Sequence, residues 1–236
     1  MLLGTAWDYQ DHPEDFLDRL DALAARGITV CNPPEVVRWN TNKRYLKRLA
    51  VSGVATVPTL WLDDLDGSGV LAAMDRLGTG RIVAKRQVGA GALGQHSFTR
   101  YALPEDGWTM GCPCMVQPFL PSIVNEGEYT FVFIDGVFSH GVLKRAGAGD
   151  YRIQSLYGGY EAAYVPQPAD LATAEAVVAA LPFDDLLYAR IDMARLPSGE
   201  LAVMEAELIE PYLYPVQGPH LGERLAQAIL ARIQGG

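Results

Sequence analysis

One stretch constrains the fold more than any other: EYTFVFIDGVFSHGVLKR, residues 128–145. Tyr129, Phe131 and Phe133 alternate with Thr130, Val132 and Ile134, the period of two that a strand requires. Asp135-Gly136 supplies a two-residue turn, and Val137 to Lys144 runs back as the second strand. The hairpin is apolar, yet it ends on adjacent cations, Lys144 and Arg145. Two such charges cost little if solvated and are useful if a polyanion lies beside them.

The chain has 236 residues, enough for one large domain or two small ones around a sizeable core. With 49% hydrophobic and 20% charged residues it reads as soluble and globular, and no apolar run approaches the ~20 residues of a membrane helix. The start, MLLGTAWDYQD, lacks a basic region and turns acidic at Asp8, so it does not read as a signal peptide. A net charge of −9 argues against nucleic acid as a partner; an anionic ligand must be met by a local group of cations. Cys31 stands alone and Cys112 and Cys114 form CPC, which fits buried thiols in a reducing cytosol better than a disulfide framework. The four histidines form no HxH or HExxH pair, so a catalytic zinc site is not expected.

The segment HPEDFLDRLDALAARG predicts a helix with Pro13, Glu14 and Asp15 in its first turn, one apolar face from Phe16 to Ala24, and Gly27 as its stop. A short strand Ile28-Thr29-Val30 and the segment NPPEVV follow, a fragment of α/β type. Thr41 or Asn42 can cap a helix that turns Leu46, Leu49 and Ala50 inward. Residues 70–77 predict another short helix; RIVAK, HSFTRY and CMVQPF predict strands. After the hairpin come DYRIQ, a helix over 169–181, two strands in YARIDMARLPSGELAVMEAELIEP, and a closing helix with Leu225, Ile229 and Ile233 on one face. Strands fill the middle and helices flank them: α+β, with a mostly antiparallel sheet.

Two stretches carry chemistry. In IVAKRQVGAGALG a buried strand ends at Lys85 and a loop with Gly89, Gly91 and Gly94 follows. Glycines let backbone N–H groups approach phosphate closely, and the lysine adds charge, although a flexible hairpin would look the same. Near the end, Asp192 lies in one strand while Glu205 and Glu207 lie two apart in the next. Carboxylates sharing one sheet face repel unless a cation intervenes, and oxygen-only donors select a hard ion such as Mg²⁺; the plain alternative is a solvated polar face on an edge hairpin.

Taken in order, WDY, NPPEVVRWNTNKRYLKRLAVSGVATVPT, IVAK…GAGALG, MVQPFLPSI, GEYTFVFIDGVFSHGVLK, DYRIQSLYGG and YARIDM…LAVMEAELIEP cover nearly the whole chain. This order resembles the ATP-grasp superfamily, and within it the glutathione-synthetase-like branch that includes the ring-forming cyclo-ligase of cycloserine. The resemblance implies an ATP-grasp fold, two α+β subdomains clasping ATP: residues 59–118 with a mobile glycine loop and 119–236 with a metal site, preceded by a partial α/β region over 1–58. It implies that Lys43 and Lys85 hold the α- and β-phosphates and that Gly89 to Gly94 closes over the γ-phosphate. A hinge of Val116, Gln117, Phe119 and Leu120 would pair with adenine and Glu128 with ribose. Lys144, Arg145 and Arg152 would surround the transferred phosphate, and Asp192, Glu205 and Glu207 would hold Mg²⁺, with Mn²⁺ as a substitute.

The implied reaction joins a small carboxylate to an amine through an acyl phosphate, in the cytoplasm, in a monomer or homodimer, with neither nucleic acid nor membrane as partner. Two alternatives stand beside it: an intramolecular amino-acid cyclo-ligase, and a non-catalytic ATP-binding module. The second arises because relatives extend further before a WDY strand that here begins at about Met1. Two further departures are Arg86, where the family usually has proline, and Glu207, where it often has asparagine. His140 and the four tryptophans, Trp7, Trp39, Trp61 and Trp108, are expected to be structural.

Overall fold

The computed structural model describes residues 1–4, 6–147 and 158–235. It is built on two antiparallel sheets. The first contains β1 (Leu60–Leu62), β2 (Arg81–Arg86), β3 (His96–Thr99) and β4 (Cys114–Pro118) in the order β1-β4-β2-β3. The second contains β5 (Glu128–Ile134), β6 (Val137–Arg145), β7 (Tyr160–Tyr164), β8 (Tyr188–Arg195) and β9 (Leu201–Glu207) in the order β7-β6-β5-β8-β9. The hairpin is as expected: Asp135 and Gly136 both have positive φ, 52° and 72°, the mirror-image turn whose twist matches paired strands.

The helices are α1 (Pro13–Ala25), α2 (Pro34–Thr41), α3 (Tyr45–Val51), α4 (Gly67–Leu77), the single turn α5 (Ser122–Asn125), α6 (Pro168–Ala179) and α7 (Leu221–Gly235). Asp66 accepts from the Gly69 amide to cap α4, and Gly78 ends it in the left-handed conformation, φ 62°. One face of the five-stranded sheet carries Tyr129, Phe131, Phe133, Ile191 and Met193 and packs on α2, α3 and α6. The other face of β5 carries Glu128, Thr130, Val132 and Ile134 in the same alternation, the last two packed with residues of α7. Fully burying each large apolar side chain is worth about 1.5–3 kcal/mol, so the phenylalanine face anchors the domain and leaves the opposite face available for polar work.

Several expectations fail locally; neither Thr41 nor Asn42 caps α3, whose N-cap is Arg44 with no side-chain bond, because Thr41 already ends α2. Ile28-Thr29-Val30 is not a strand; the contact there shrinks to a parallel bridge between Leu2 and Cys31. WDY is not a strand either: Trp7 and Asp8 lie in a turn and Tyr9–Asp11 is a 3-10 turn. Both segments sit beside the sheets rather than in them: Asn32, just after the first, bonds the Tyr188 and Leu208 carbonyls at 2.9 and 2.8 Å, and Trp7 of the second donates to the Glu210 carbonyl. At the helices, Ala50 and Ile233 face solvent, because α3 and α7 each bury only one narrow stripe. DYRIQ lies outside the described residues. All three cysteines are free, with Cys114 buried and the other two half-buried.

Candidate active site

A cavity of about 740 Å³ is lined by both sheets and by the glycine loop. Its floor comes from strand alternation. Glu128 pairs with Lys144 across β5 and β6, Thr130 with Asp192 across β5 and β8, and Asp192 with Glu205 across β8 and β9. A register shift after Asp192 sets Met193 opposite Val203, so that Met204 and Glu205 both reach the cavity while Val203 and Ala206 stay in the core. The far edge of β9 is closed by side chains: Asn40 bonds the Ala206 carbonyl at 2.7 Å and the Leu208 amide at 2.9 Å, and the Tyr45 hydroxyl bonds Ala206 at 3.0 Å. These three contacts hold Glu205 and Glu207 in place from behind.

The charges form a chain of pairs. The Lys144 ammonium, 7% exposed, contacts the Glu128 carboxylate and lies 3.1 Å from Asp192 Oδ1. Arg190 donates to Asp192 Oδ2 at 2.8 Å, to the Glu207 carboxylate, and to the Tyr212 carbonyl at 3.2 Å. Lys43 pairs with Glu205 at 2.8 Å and donates to the Gly89 carbonyl at 2.6 Å. Burial would raise Asp192, but Arg190 and Lys144 outweigh it and hold the carboxyl well below the ordinary range. Burial dominates at Glu128, which rises despite Lys144, and at Glu207, which is pushed up to about 8 with help from Glu205 and Asp192. Lys85 is different: it lines the cavity without an ion pair or hydrogen bond among the described residues, and burial lowers its pKa. Glu205 and Glu128 act on it only in the opposite direction and at a distance.

The glycine loop closes one side. Gly91 and Gly94 have φ of 62° and 67°, which side chains rarely adopt. Arg86 runs beneath it: a Cβ on Gly94 would lie 2.8 Å from Arg86 Nε. Gln10 accepts from the Ala90 amide, so the N-terminal segment also holds the loop.

Most of the residues singled out in the sequence meet here: Lys43, Lys85, Gly89, Gly91, Gln117, Phe119, Leu120, Glu128, Lys144, Asp192, Glu205 and Glu207 all line the cavity. Gly94 sits just behind it against Arg86. Val116 does not reach it; on a central strand its side chain points into the core beneath α4, and its backbone pairs with Leu60 and Ala84. Arg145 does not reach it either. Adjacent strand residues face opposite ways, so Lys144 turns inward while Arg145 is exposed and donates to the Glu126 carbonyl at 3.1 Å. Arg152 lies outside the described residues. His140 is structural: its Nε2 lies 3.0 Å from the Leu213 carbonyl and its ring abuts Gly218. Trp39, Trp61 and Trp108 pack, but Trp7 is 55% exposed at the cavity wall and donates to the Glu210 carbonyl.

Sequence reasoning passed over Arg190, Glu210, Tyr212 and Tyr214. Arg190 was signalled by period two, since it precedes Asp192 by two in YARIDM and must share its face.

The donor chemistry of Asp192, Glu205 and Glu207 suits a hard dication. Among the described residues no three His, Cys, Asp or Glu side chains are placed to ligate one metal as they stand, because each acid already holds a cation.

The chain is 31% identical to the cycloserine biosynthesis protein DcsG of Streptomyces lavendulae, over 99% of its own length and 83% of the relative's. It belongs to the ATP-grasp ligases. No family model matches the chain. Among solved structures, D-cycloserine synthetase DcsG superposes with a TM-score of 0.81 at 25% identity, over 97% of this chain and 82% of that one. The ATP-grasp ligase PsnB (TM-score 0.68, 17% identity, 96% and 71% covered) and D-alanine–D-alanine ligase of Bacillus anthracis (0.65, 19%, 92% and 77%) share the ATP-grasp fold. No helix among the described residues is long and apolar enough to cross a membrane.

Proposed function

We propose that the protein joins a small carboxylate substrate to an amine at the expense of ATP, through an acyl phosphate. The observation that carries this reading is the convergence on one cavity of the glycine loop, three lysines and three oxygen-donor acids. Lys43 and Lys85 bind the nucleotide phosphates, and the loop from Gly89 to Gly94 covers them with backbone amides. Glu128 takes the ribose hydroxyls, and the backbone of the strand end at Gln117 to Leu120 takes adenine.

Asp192, Glu205 and Glu207 would hold Mg²⁺, which would supply positive charge to offset that of the phosphates. Lys144 and Arg190 face the position of the transferred phosphoryl group. The substrate carboxylate attacks the γ-phosphorus and ADP leaves; the amine then attacks the acyl carbon, phosphate leaves, and the amine loses a proton. Negative charge grows on non-bridging oxygens in both steps, so fixed cations stabilise the transition states and no nucleophilic side chain is needed.

Thermal unfolding with MgATP, with ATP plus EDTA, and with neither tests the site. At about 100 times its Kd a ligand adds roughly 2.7 kcal/mol, on the order of 5–10 °C here, and the shift should require the metal. ADP release dependent on an amino-acid substrate then separates an enzyme from a non-catalytic ATP-binding module. The likeness to a D-cycloserine synthetase favours a variant of the same reading in which both reacting groups belong to one molecule. Turnover with one amino-acid derivative and no second amine would establish that variant.

A further inference from the structure

Glu210 lies three residues beyond Glu207, is 8% exposed, and lines the cavity. Its carboxylate has no ion pair, and no hydrogen-bond partner other than its own backbone amide, among the described residues. Four other acids of the cavity are compensated: Glu128 and Asp192 hold Lys144, Glu205 holds Lys43, and Glu207 holds Arg190. Arg190 and Lys43 act on it only at a distance, and a buried carboxylate with no cation in contact is costly and can receive a positive charge from outside.

Its surroundings suit a small organic cation. Trp7 is fixed beside it, the indole Nε1 donating to the Glu210 carbonyl at 3.2 Å. Tyr212, half-exposed at the cavity wall, is fixed by Arg190 through its carbonyl and by Tyr214, whose ring lies 4.9 Å away edge-on. Aromatic faces attract ammonium groups without competing for their hydrogen bonds.

We propose that Glu210, flanked by Trp7 and Tyr212, binds the ammonium group of a small amino-acid substrate, leaving that substrate's carboxylate to face the cavity lysines. The assignment rests on the ligase reading above and names a residue that would select the substrate by its free amine. Burial pushes Glu210 up to about 7, the state of an acid waiting for a partner, and an arriving ammonium would return it to the ionised form.

The test uses the full chain at saturating MgATP with D- and L-alanine and D- and L-serine, each beside its N-acetyl derivative and its α-hydroxy acid counterpart. ADP release is measured for wild type, Glu210→Gln and Glu210→Asp. At least one free amino acid should stimulate release, with its N-acetyl and hydroxy forms at least tenfold weaker. Glu210→Gln should raise the apparent KM for that amino acid at least tenfold, Glu210→Asp should recover part of it, and both should keep the MgATP-induced thermal shift. Equal stimulation by the N-acetyl or hydroxy forms, an unchanged KM in Glu210→Gln, or silence from the whole panel would each overturn the proposal. So would a changed Mg²⁺ requirement in Glu210→Gln, which would make the residue a metal ligand instead. A wild-type protein without any MgATP shift defeats the ligase reading itself; a normal shift without amine selectivity defeats only the ammonium site.

Discussion

Replacing Lys144 by methionine should be among the most destabilising single changes available in this protein. The ammonium and both its partners are buried, with side-chain exposures of 7% for Lys144, 9% for Glu128 and 4% for Asp192. Asp192 would keep Arg190 and the Thr130 hydroxyl, which donates to it at 2.5 Å. Glu128 would keep no cation in ion-pair contact among the described residues, only the more distant Arg190 and Lys85. Breaking a buried pair from one side costs about 3–5 kcal/mol, chiefly because the surviving charge is stranded. For a chain of this size that is on the order of 6–20 °C in Tm.

The reasoning also fixes the remedy and the pH dependence. Lys144→Met combined with Glu128→Gln leaves no stranded charge, so the double variant should recover most of the loss, a coupling of about 2 kcal/mol or more in a double-mutant cycle. Glu128 already has its folded pKa raised, burial being the larger cause, and losing Lys144 raises it further. Between the unfolded and folded values the folded state then binds more protons than the unfolded state, so stability falls as pH rises. Urea unfolding of Lys144→Met should therefore show a larger deficit at pH 8 than at pH 5. A loss below about 1 kcal/mol, additive single and double variants, or a deficit independent of pH would each refute the stranded-charge account.

Lys85→Ala should weaken nucleotide binding by about 1–3 kcal/mol in a titration with MgATP, since it removes a charge-assisted contact without leaving a protein partner stranded. Arg145→Ala should leave ligation kinetics unchanged and move stability by less than about 1 kcal/mol, because the side chain is exposed and, among the described residues, hydrogen-bonds only the Glu126 carbonyl. Glu210→Gln should flatten the stability profile of the unliganded protein: with a folded pKa of about 7 against about 4.3 unfolded, Glu210 makes wild type lose stability as pH rises between those values. ATP and Mg²⁺ should bind with positive coupling, each improving the other's affinity by the same factor. Alone, either must break existing pairs such as Lys43–Glu205, whereas together they supply both lysines and acids with new partners.

The five-stranded sheet was legible because its signals are local. The alternation of 128–134, the Asp135-Gly136 turn and the paired acids near the end each follow from period two, and pairing then brings Glu128, Lys144, Asp192 and Glu205 together. The same rule, applied one step further, separates Lys144 from Arg145 and recruits Arg190. What could not be read were contacts decided by packing at long sequence separation. Nothing in NPPEVVRWNT says that Asn40 will close the edge of β9, about 166 residues away, and nothing in MLLGTAWDYQD says that Trp7 and Gln10 will reach the cavity. Apolar WDY and ITV looked like strands because propensity sees the residue and not the neighbour. With the sheet edges satisfied by other groups, these segments serve as props.

That substitution of props for strands bears on how the site works. In the cavity Lys43, Lys144 and Arg190 are each engaged by acids, whereas Lys85 and Glu210 have neither an ion pair nor a hydrogen bond to another residue's side chain among the described residues. One is an uncommitted cation and the other an uncommitted acid. On the proposed reading a nucleotide phosphate would meet the first and a substrate ammonium the second. The segment carrying Trp7 and Gln10 touches both, through the Glu210 carbonyl and the Ala90 amide of the glycine loop. Filling either place therefore bears on one short segment that also borders the other, which gives the two ligands a physical means of sensing each other.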